Sequence, residues 1–342
     1  MHITIWTSDK CNLQCRYCYE GKDKPGQIMS EEICKATFSF IQKLMNEKND
    51  EPLSITFHGG EPLLGIKCIE YFVEELRNCF PQCRFSMTTN LTILTKEIEK
   101  ILVNEIDDLS VSIDGNYLAH NLNRRFKSGQ GTYEIVKENS LKLLSQKKNI
   151  RARMTVVPEN IKNLSENIEH LISIGFQIIE PILDFTNPEW NEDYITVYDQ
   201  QLRRTADMLE KYQDIDIPVL YSAACKTKNS PCDGGSGSFN IATDGSIYPC
   251  ILSVHKQELT IGHVNTGIDN KKVKWIQNLN KIKNNGCIGC QRYEYCKSTR
   301  CKLVNYINTG SYNTPLPIMC KMENSAVKIA KYYLHKKGVL PQ

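Results

Sequence analysis

Apolar and polar positions along the chain alternate between two periods. Six short runs rich in β-branched and apolar residues, Ile3 to Trp6, Leu53 to Phe57, Arg84 to Thr89, Leu109 to Ile113, Arg151 to Val157 and Gln177 to Leu183, are separated by longer amphipathic segments. The short runs predict strands and the long ones helices. The first helix is expected to start at Ser30, a good N-cap followed by Glu31 and Glu32, and to bury Ile33, Ala36, Phe40 and Leu44. Others are expected near residues 66–79, 95–104, 131–147 and 162–174, with a further helix from Tyr194 to Tyr212 after a loop from Thr186 to Asp193. Six βα units joined by right-handed crossovers make either an open doubly wound sheet or a curved, partial barrel, and the pattern accommodates both.

Composition changes near Ile215. The remainder holds a glycine-rich stretch, Gly234 to Gly237, and a hairpin signal in Phe239 to Tyr248 that turns at Asp244-Gly245. It also holds eight cysteines from Cys225 to Cys320, whereas residues 84–224 have none. The expected organisation is an α/β domain over residues 1–215 and a small, loop-rich domain over residues 216–342.

A chain of 342 residues is long enough for an enzyme. Its 42 basic and 39 acidic residues are interspersed, so no patch suited to nucleic acid or a membrane surface stands out, and a small or peptide substrate is expected. The start MHITIWTSDK lacks the basic region and apolar run of a signal peptide, and no apolar stretch approaches the ~18 residues that span a bilayer. These features predict a cytoplasmic protein. Fifteen cysteines, clustered and odd in number, then point to metal or redox chemistry rather than a disulfide scaffold.

In parallel α/β folds the chemistry gathers at the carboxyl ends of the strands. The first strand is followed by Cys11-Asn-Leu-Gln-Cys15-Arg-Tyr-Cys18, the second by His58-Gly59-Gly60-Glu61-Pro62, the third ends at Thr89-Asn90 and the fourth at Asp114-Gly115. Three thiols on one loop can ligate three irons of a [4Fe–4S] cluster and leave the fourth open to a cofactor. A partial zinc site is the alternative, and it needs one more ligand. The spacing, with Tyr17 just before the third cysteine, resembles the signature of the radical S-adenosylmethionine (SAM) superfamily. That resemblance implies a partial (β/α)6 TIM-type barrel, a SAM-binding cluster on Cys11, Cys15 and Cys18, and reductive cleavage of SAM to a 5′-deoxyadenosyl radical. Gly59, Gly60 and Glu61 resemble the family's GGEP element, in which the backbone approaches the methionyl amino group. Ser112 in VSIDG and Arg124 in HNLNR resemble SAM contacts of anaerobic sulfatase-maturing enzymes, Arg124 toward the methionyl carboxylate; the other reading of Arg124 is a solvated loop cation. The same resemblance places Asn90 at the ribose and Phe185 beside the adenine.

The later cysteines run Cys232, Cys250, Cys287, Cys290, Cys296, Cys301 and Cys320, with Gly245 ahead of Cys250. This order resembles the SPASM domain, although four residues rather than the usual three separate Cys296 from Cys301. By that resemblance two auxiliary [4Fe–4S] clusters are expected, the nearer on Cys225, Cys232, Cys250 and Cys301 and the outer on Cys287, Cys290, Cys296 and Cys320. Zinc also favours Cys-x2-Cys pairs. Cys34, Cys68, Cys79 and Cys83 carry no assigned chemistry, Cys34 being read as a small buried hydrophobe, and His58 as a histidine satisfied by hydrogen bonds.

The resemblance implies more: SPASM-type enzymes mostly modify ribosomally made peptides or proteins, often as a net two-electron oxidation in which an auxiliary cluster takes the second electron. The expected function is therefore a peptide maturase that forms a thioether or another side-chain cross-link, served by an electron donor such as flavodoxin or ferredoxin. The chain starts ten residues before Cys11, so the precursor is expected to be recognised by the body of the enzyme or by a separate leader-binding protein. Two alternatives stand beside it. One is a sulfatase maturase making formylglycine; those enzymes place an aspartate base directly after the cysteine equivalent to Cys250, where this chain has Ile251. The other is a zinc-binding module without turnover. The general base is not identifiable from the sequence.

Overall fold

The computed structural model describes residues 1–21, 26–48, 51–147, 149–225, 232–296 and 301–340. The chain falls into two compact units, one made of Met1–Gln14, Cys18–Ser110 and Pro231–Lys281, the other of Cys15–Tyr17, Val111–Ser230 and Ile282–Gln342.

In the first unit, β1 (His2–Ser8) is buried from Ile3 to Ser8 because strands flank it on both sides. It pairs in parallel with β2 (Ser54–Gly59) on one edge and with β7 (Ser238–Ile241) on the other. Beyond β2 lies the parallel β3 (Arg84–Thr89). Beyond β7 the antiparallel strands β8 (Ser246–Tyr248), β9 (Gly262–His263) and β10 (Gly267–Ile268) follow in order. The hairpin read from Asp244-Gly245 therefore forms, and its first strand joins the edge of β1, where Phe239 packs edge-on against Phe40 at 6.3 Å. Phe57 and Phe85 stack at 5.7 Å on neighbouring strands, and the buried side chains of β2 alternate as a pleat requires.

Helix α1 (Glu31–Glu47) starts where expected, with the Ser30 hydroxyl accepting from the Ile33 N–H at 3.3 Å. Its buried face is Cys34, Thr37, Phe40, Ile41, Leu44 and Met45. Ile33 and Ala36 are only half-buried, because the stripe is centred one residue further on, where Cys34 meets Cys68 of α2 (Ile66–Cys79). Helices α3 (Lys96–Asn104), capped by Thr95, and α9 (Asn270–Lys281) complete this unit.

In the second unit, β4 (Asp108–Ser112) contributes its last two residues, and the Ile113 N–H carries its direction onto the Arg153 carbonyl at 3.1 Å. Strand β5 (Ile150–Val156) alternates buried and half-buried positions and pairs in parallel with β6 (Ile178–Leu183) from Arg151–Ile178 to Val156–Leu183. The helices are α4 (Tyr117–Asn123), α5 (Tyr133–Leu144), α6 (Leu164–Ile174), α7 (Asp193–Met208), α8 (Val219–Ser222), α10 (Lys302–Thr309) and α11 (Pro317–Lys336). Ser325 and Tyr332 of α11 hydrogen-bond Asp199 and Asp207 of α7 at 3.0 and 2.6 Å. The fold is thus mixed α/β with mostly parallel strands. Among the described residues no helix is long and apolar enough to cross a membrane.

Candidate cofactor and cluster site

The carboxyl ends of β1, β2 and β3 are bound to one another. Gly60 donates its N–H to the Ser8 carbonyl at 2.9 Å and Glu61 to the Lys10 carbonyl at 2.8 Å. A Cβ built on Gly59, whose φ is +139°, would stand 2.0 Å from the Ser8 oxygen, and one on Gly60 would stand 2.6 Å from the Lys10 oxygen. The two glycines are therefore required by the close approach of β2 to the start of the cysteine loop. The Glu61 carboxylate is buried and accepts from Thr89 Oγ1 at 2.6 Å, the Asn90 N–H at 2.7 Å and the Leu63 N–H at 3.2 Å. It ties the end of β2 to the end of β3.

Asn90 then reaches the cysteine loop. Its Nδ2 donates to Asn12 Oδ1 at 2.9 Å and lies 3.9 Å from Cys11 Sγ, and its Oδ1 accepts from Thr92 Oγ1 at 2.7 Å. The Leu13 N–H is 3.4 Å from the same sulfur. N–H donors aimed at a sulfur favour its thiolate, the form in which cysteine holds iron, and this surrounding of Cys11 fits a cluster ligand.

The second unit holds Cys15, Tyr17, Ser112, Arg124 and Phe185. Its centre is Asp114, fully buried at the end of β4. The Tyr17 hydroxyl donates to Asp114 Oδ2, the Thr155 N–H to Oδ1 at 2.9 Å, and Arg124 Nε stands 3.1 Å from Oδ2. The Arg124 guanidinium lies 5.2 Å from the centre of the Tyr17 ring and donates from Nη2 to Thr155 Oγ1 at 3.4 Å. Arg124 is only 7% exposed, so the solvated loop cation is not what the structure shows. Burial works against its charge, but Asp114, Tyr17 and Cys15 outweigh it and hold the pKa above its ordinary value. Burial also pushes the Tyr17 phenol well above its usual range. His120, buried and near Arg124, is driven well below its own, so it stays neutral and bridges the Asp114 N–H and Thr132 Oγ1 at 3.4 and 2.9 Å. Ser112 is buried on β4, and Phe185 is half-buried in the turn after β6.

The later cysteines fall in both units. In the first, Gly234 is pressed between Cys232 and Pro249: a Cβ there would stand 2.6 Å from the Pro249 oxygen and 3.3 Å from Cys232 Sγ, so Cys232 lies beside the residue preceding Cys250. In the second, Cys225 is exposed, with its thiol 3.5 Å from the Tyr221 carbonyl, and Cys301 is half-buried at the start of α10. Burial raises the Cys320 pKa, and charges on Cys296, Cys287 and Cys290 push it the same way. Cys287, Cys290 and Cys296 thus each lie within electrostatic reach of Cys320. Among the described residues no three His, Cys, Asp or Glu side chains are set closely enough to hold a single metal ion; a [4Fe–4S] cluster instead distributes its thiolates over separate irons.

One group in the first unit had no sequence signal. Asp9, two residues before Cys11, is buried and pairs with His255 Nε2 at 3.2 Å while Thr243 donates to its other oxygen. Pairing with Asp9 raises the His255 pKa against partial burial. His255 adopts a φ of +67° and meets the Trp6 ring edge-on at 5.4 Å. Ile251 packs nearby on the apolar cluster of Trp6, Ala242, Tyr248 and Val254.

Residues 6–171 match the Radical SAM superfamily. A cysteine-type anaerobic sulfatase-maturating enzyme of Clostridium perfringens strain 13 is 23% identical over 86% of this chain and 87% of its own. The radical SAM cyclopropyl synthase TigE of Paramaledivibacter caminithermalis is 24% identical over 86% of this chain and 66% of its own. Among solved structures, anSMEcpe with bound AdoMet and the Cp18Cys peptide superposes with a TM-score of 0.79 at 21% identity, covering 98% of each chain. The fold is shared with that structure.

Proposed function

We propose, from the premise that this chain is a radical SAM enzyme, that it oxidatively modifies a ribosomally made peptide by forming a thioether or another side-chain cross-link. The observation that carries the reading is that Cys287, Cys290 and Cys296 all lie within electrostatic reach of Cys320. A cluster there, beyond the one implied at Cys11, Cys15 and Cys18, would give a two-electron oxidation a place to send its second electron. Cys225, Cys232, Cys250 and Cys301 complete the proposal as ligands of a nearer auxiliary cluster, with residues 216–342 as a SPASM domain.

Bound SAM supplies the hydrogen-abstracting 5′-deoxyadenosyl radical. The protein's residues would hold and orient it. Arg124 uses Nε on Asp114 and one Nη2 donor on Thr155, so the rest of its fork is left for the methionyl carboxylate. Tyr17 fixes the guanidinium from its ring face, while Gly59, Gly60 and Glu61 stiffen the floor beside the cysteine loop. Asn90, Ser112 and Phe185 are proposed for the ribose and adenine. A precursor peptide, a flavodoxin- or ferredoxin-like donor, a separate leader-binding protein and a cytoplasmic setting belong to the same reading. Support comes from the relative named as a cyclopropyl synthase and from the peptide bound in anSMEcpe.

A second reading, formylglycine formation, is favoured by similarity to the sulfatase-maturating enzyme along most of both chains. Ile251 speaks against it, because the half-buried aliphatic side chain packs on an apolar cluster and cannot accept a proton as an aspartate base would. The test incubates short cysteine-rich or aromatic-rich peptides sought among the neighbouring open reading frames with enzyme, SAM and reductant. Loss of two hydrogens per site supports cross-linking. Unchanged mass with uptake of solvent deuterium would redirect the reading to epimerisation, and an aldehyde at a cysteine or serine would establish the second reading.

A further inference from the structure

Cys34 and Cys68 lie outside every ligand set described above. Cys34 is in the first turn of α1 and Cys68 in the first turn of α2. Both are buried, with 2% and 6% of their surface exposed, and their sulfurs are 3.1 Å apart. The Cys34 thiol donates to Cys68, and Cys68 donates in turn to the Met29 carbonyl at 3.1 Å. Met29 is where the cysteine loop returns to the sheet, since its own N–H donates to the Thr7 carbonyl at 3.0 Å. The two thiols therefore touch on helices already fixed by the core, directly beneath the far end of the loop that carries Cys11, Cys15 and Cys18.

We propose that Cys34 and Cys68 are a redox couple that closes to a disulfide between α1 and α2 when the protein meets hydrogen peroxide. The S–H···S hydrogen bond sorts their roles: donating it holds the Cys34 pKa up, and accepting it brings that of Cys68 down. Cys68 is accordingly the nucleophile. Its thiolate attacks one peroxide oxygen, an S–O bond forms, the O–O bond breaks, and hydroxide leaves to take up the proton Cys68 gave. Cys34 then attacks the sulfur of the Cys68 sulfenic acid, the S–S bond forms, and the S–O bond breaks as water departs with the Cys34 proton. Two thiols lose two electrons and two protons, and one peroxide becomes two waters. The disulfide has no S–H donor, so the Met29 carbonyl loses its Cys68 partner. Oxidation thus joins the two helices covalently while releasing one hold on the end of the cysteine loop.

The other unassigned thiols are internal controls. Burial pushes Cys83 up to about 12, which leaves it unreactive, and Cys79 is exposed at the end of α2. The experiment treats anaerobically purified, cluster-loaded protein with a small excess of peroxide, alkylates all remaining thiols under denaturing conditions and maps the peptides by mass. The expected result is a linked peptide pair containing Cys34 and Cys68, two hydrogens lighter than its separate parts, in most molecules, with Cys83 still alkylated. In Cys34→Ser the Cys68 sulfenic acid has no partner and is trapped by a cyclic dione probe. Alkylation of both Cys34 and Cys68 at a peroxide level that oxidises Cys79 overturns the proposal, as does pairing of either with a different cysteine. The wild-type map decides the matter even if the variant folds poorly.

Discussion

Asp114 shows how one side chain can organise half of a site. Its carboxylate receives Tyr17, Arg124 and the Thr155 N–H in a fully buried position. Taking it away leaves the Arg124 cation buried with its main partner gone. Asp114→Ala should therefore cost about 3–5 kcal/mol of stability, against roughly 1.5–3 kcal/mol for Tyr17→Phe, which removes one hydrogen bond to a charged group. Urea denaturation of both variants checks the order. His255 carries a pH prediction. Its folded pKa is raised above 6.5 by Asp9, so the pair's stabilisation is fully present below the unfolded pKa and is lost as pH rises through the folded one. The destabilisation by His255→Gln should then be larger near pH ~6 than near pH ~9; equal losses at both would contradict the pairing. The cysteine loop was legible because its residues are local in sequence. Asp114 read only as a strand-ending Asp-Gly, since its partner Tyr17 lies 97 positions away. Asp9 and His255 carry no motif at all.

Elements were legible where their period was strong. All six parallel strands of the βα series lie within a residue or two of their expected limits, and α2 matches residues 66–79 outright. Helix α4 escaped notice because seven residues give too little period, although Asn116 caps it by accepting the Ala119 N–H at 3.0 Å. The pairing of β7 with β1 has no local signal either, because a parallel contact between residues 2–5 and 238–241 is set by the long-range core. The glycines after β2 were read through the cofactor, whereas their tight neighbours are the Ser8, Asp9 and Lys10 carbonyls. Gly59→Ala is therefore expected to lose at least ~2–3 kcal/mol through steric overlap and backbone strain. Gly129→Ala also sits at positive φ but has nothing within 4 Å of the new Cβ, and should lose only about 1 kcal/mol. Thermal melts of the two variants compare them directly.

At the scale of the whole molecule, the proposed chemistry is divided between residues 6–171, which match the Radical SAM superfamily, and the later cysteines. Making the radical is proposed for Cys11, Cys15 and Cys18, and directing it for the eight thiols from Cys225 onward. Cys287, Cys290 and Cys296 all lie within electrostatic reach of Cys320, up to 33 positions away in sequence, a proximity the spacing suggested only through resemblance. The proposed peptide substrate was not legible, because a peptide is recognised by a shaped surface rather than by a run of residues. Two variants separate the two functions. Cys290→Ala should retain part of the reductive SAM cleavage but lose modified peptide, whereas Cys15→Ala should lose both. The most direct measurement is formation of 5′-deoxyadenosine from SAM by the anaerobically reconstituted, dithionite-reduced protein. Turnover is expected in the wild type and in Cys290→Ala, and none in Cys15→Ala. Colourless protein that leaves SAM intact, or cleavage that survives the loss of Cys15, would contradict it.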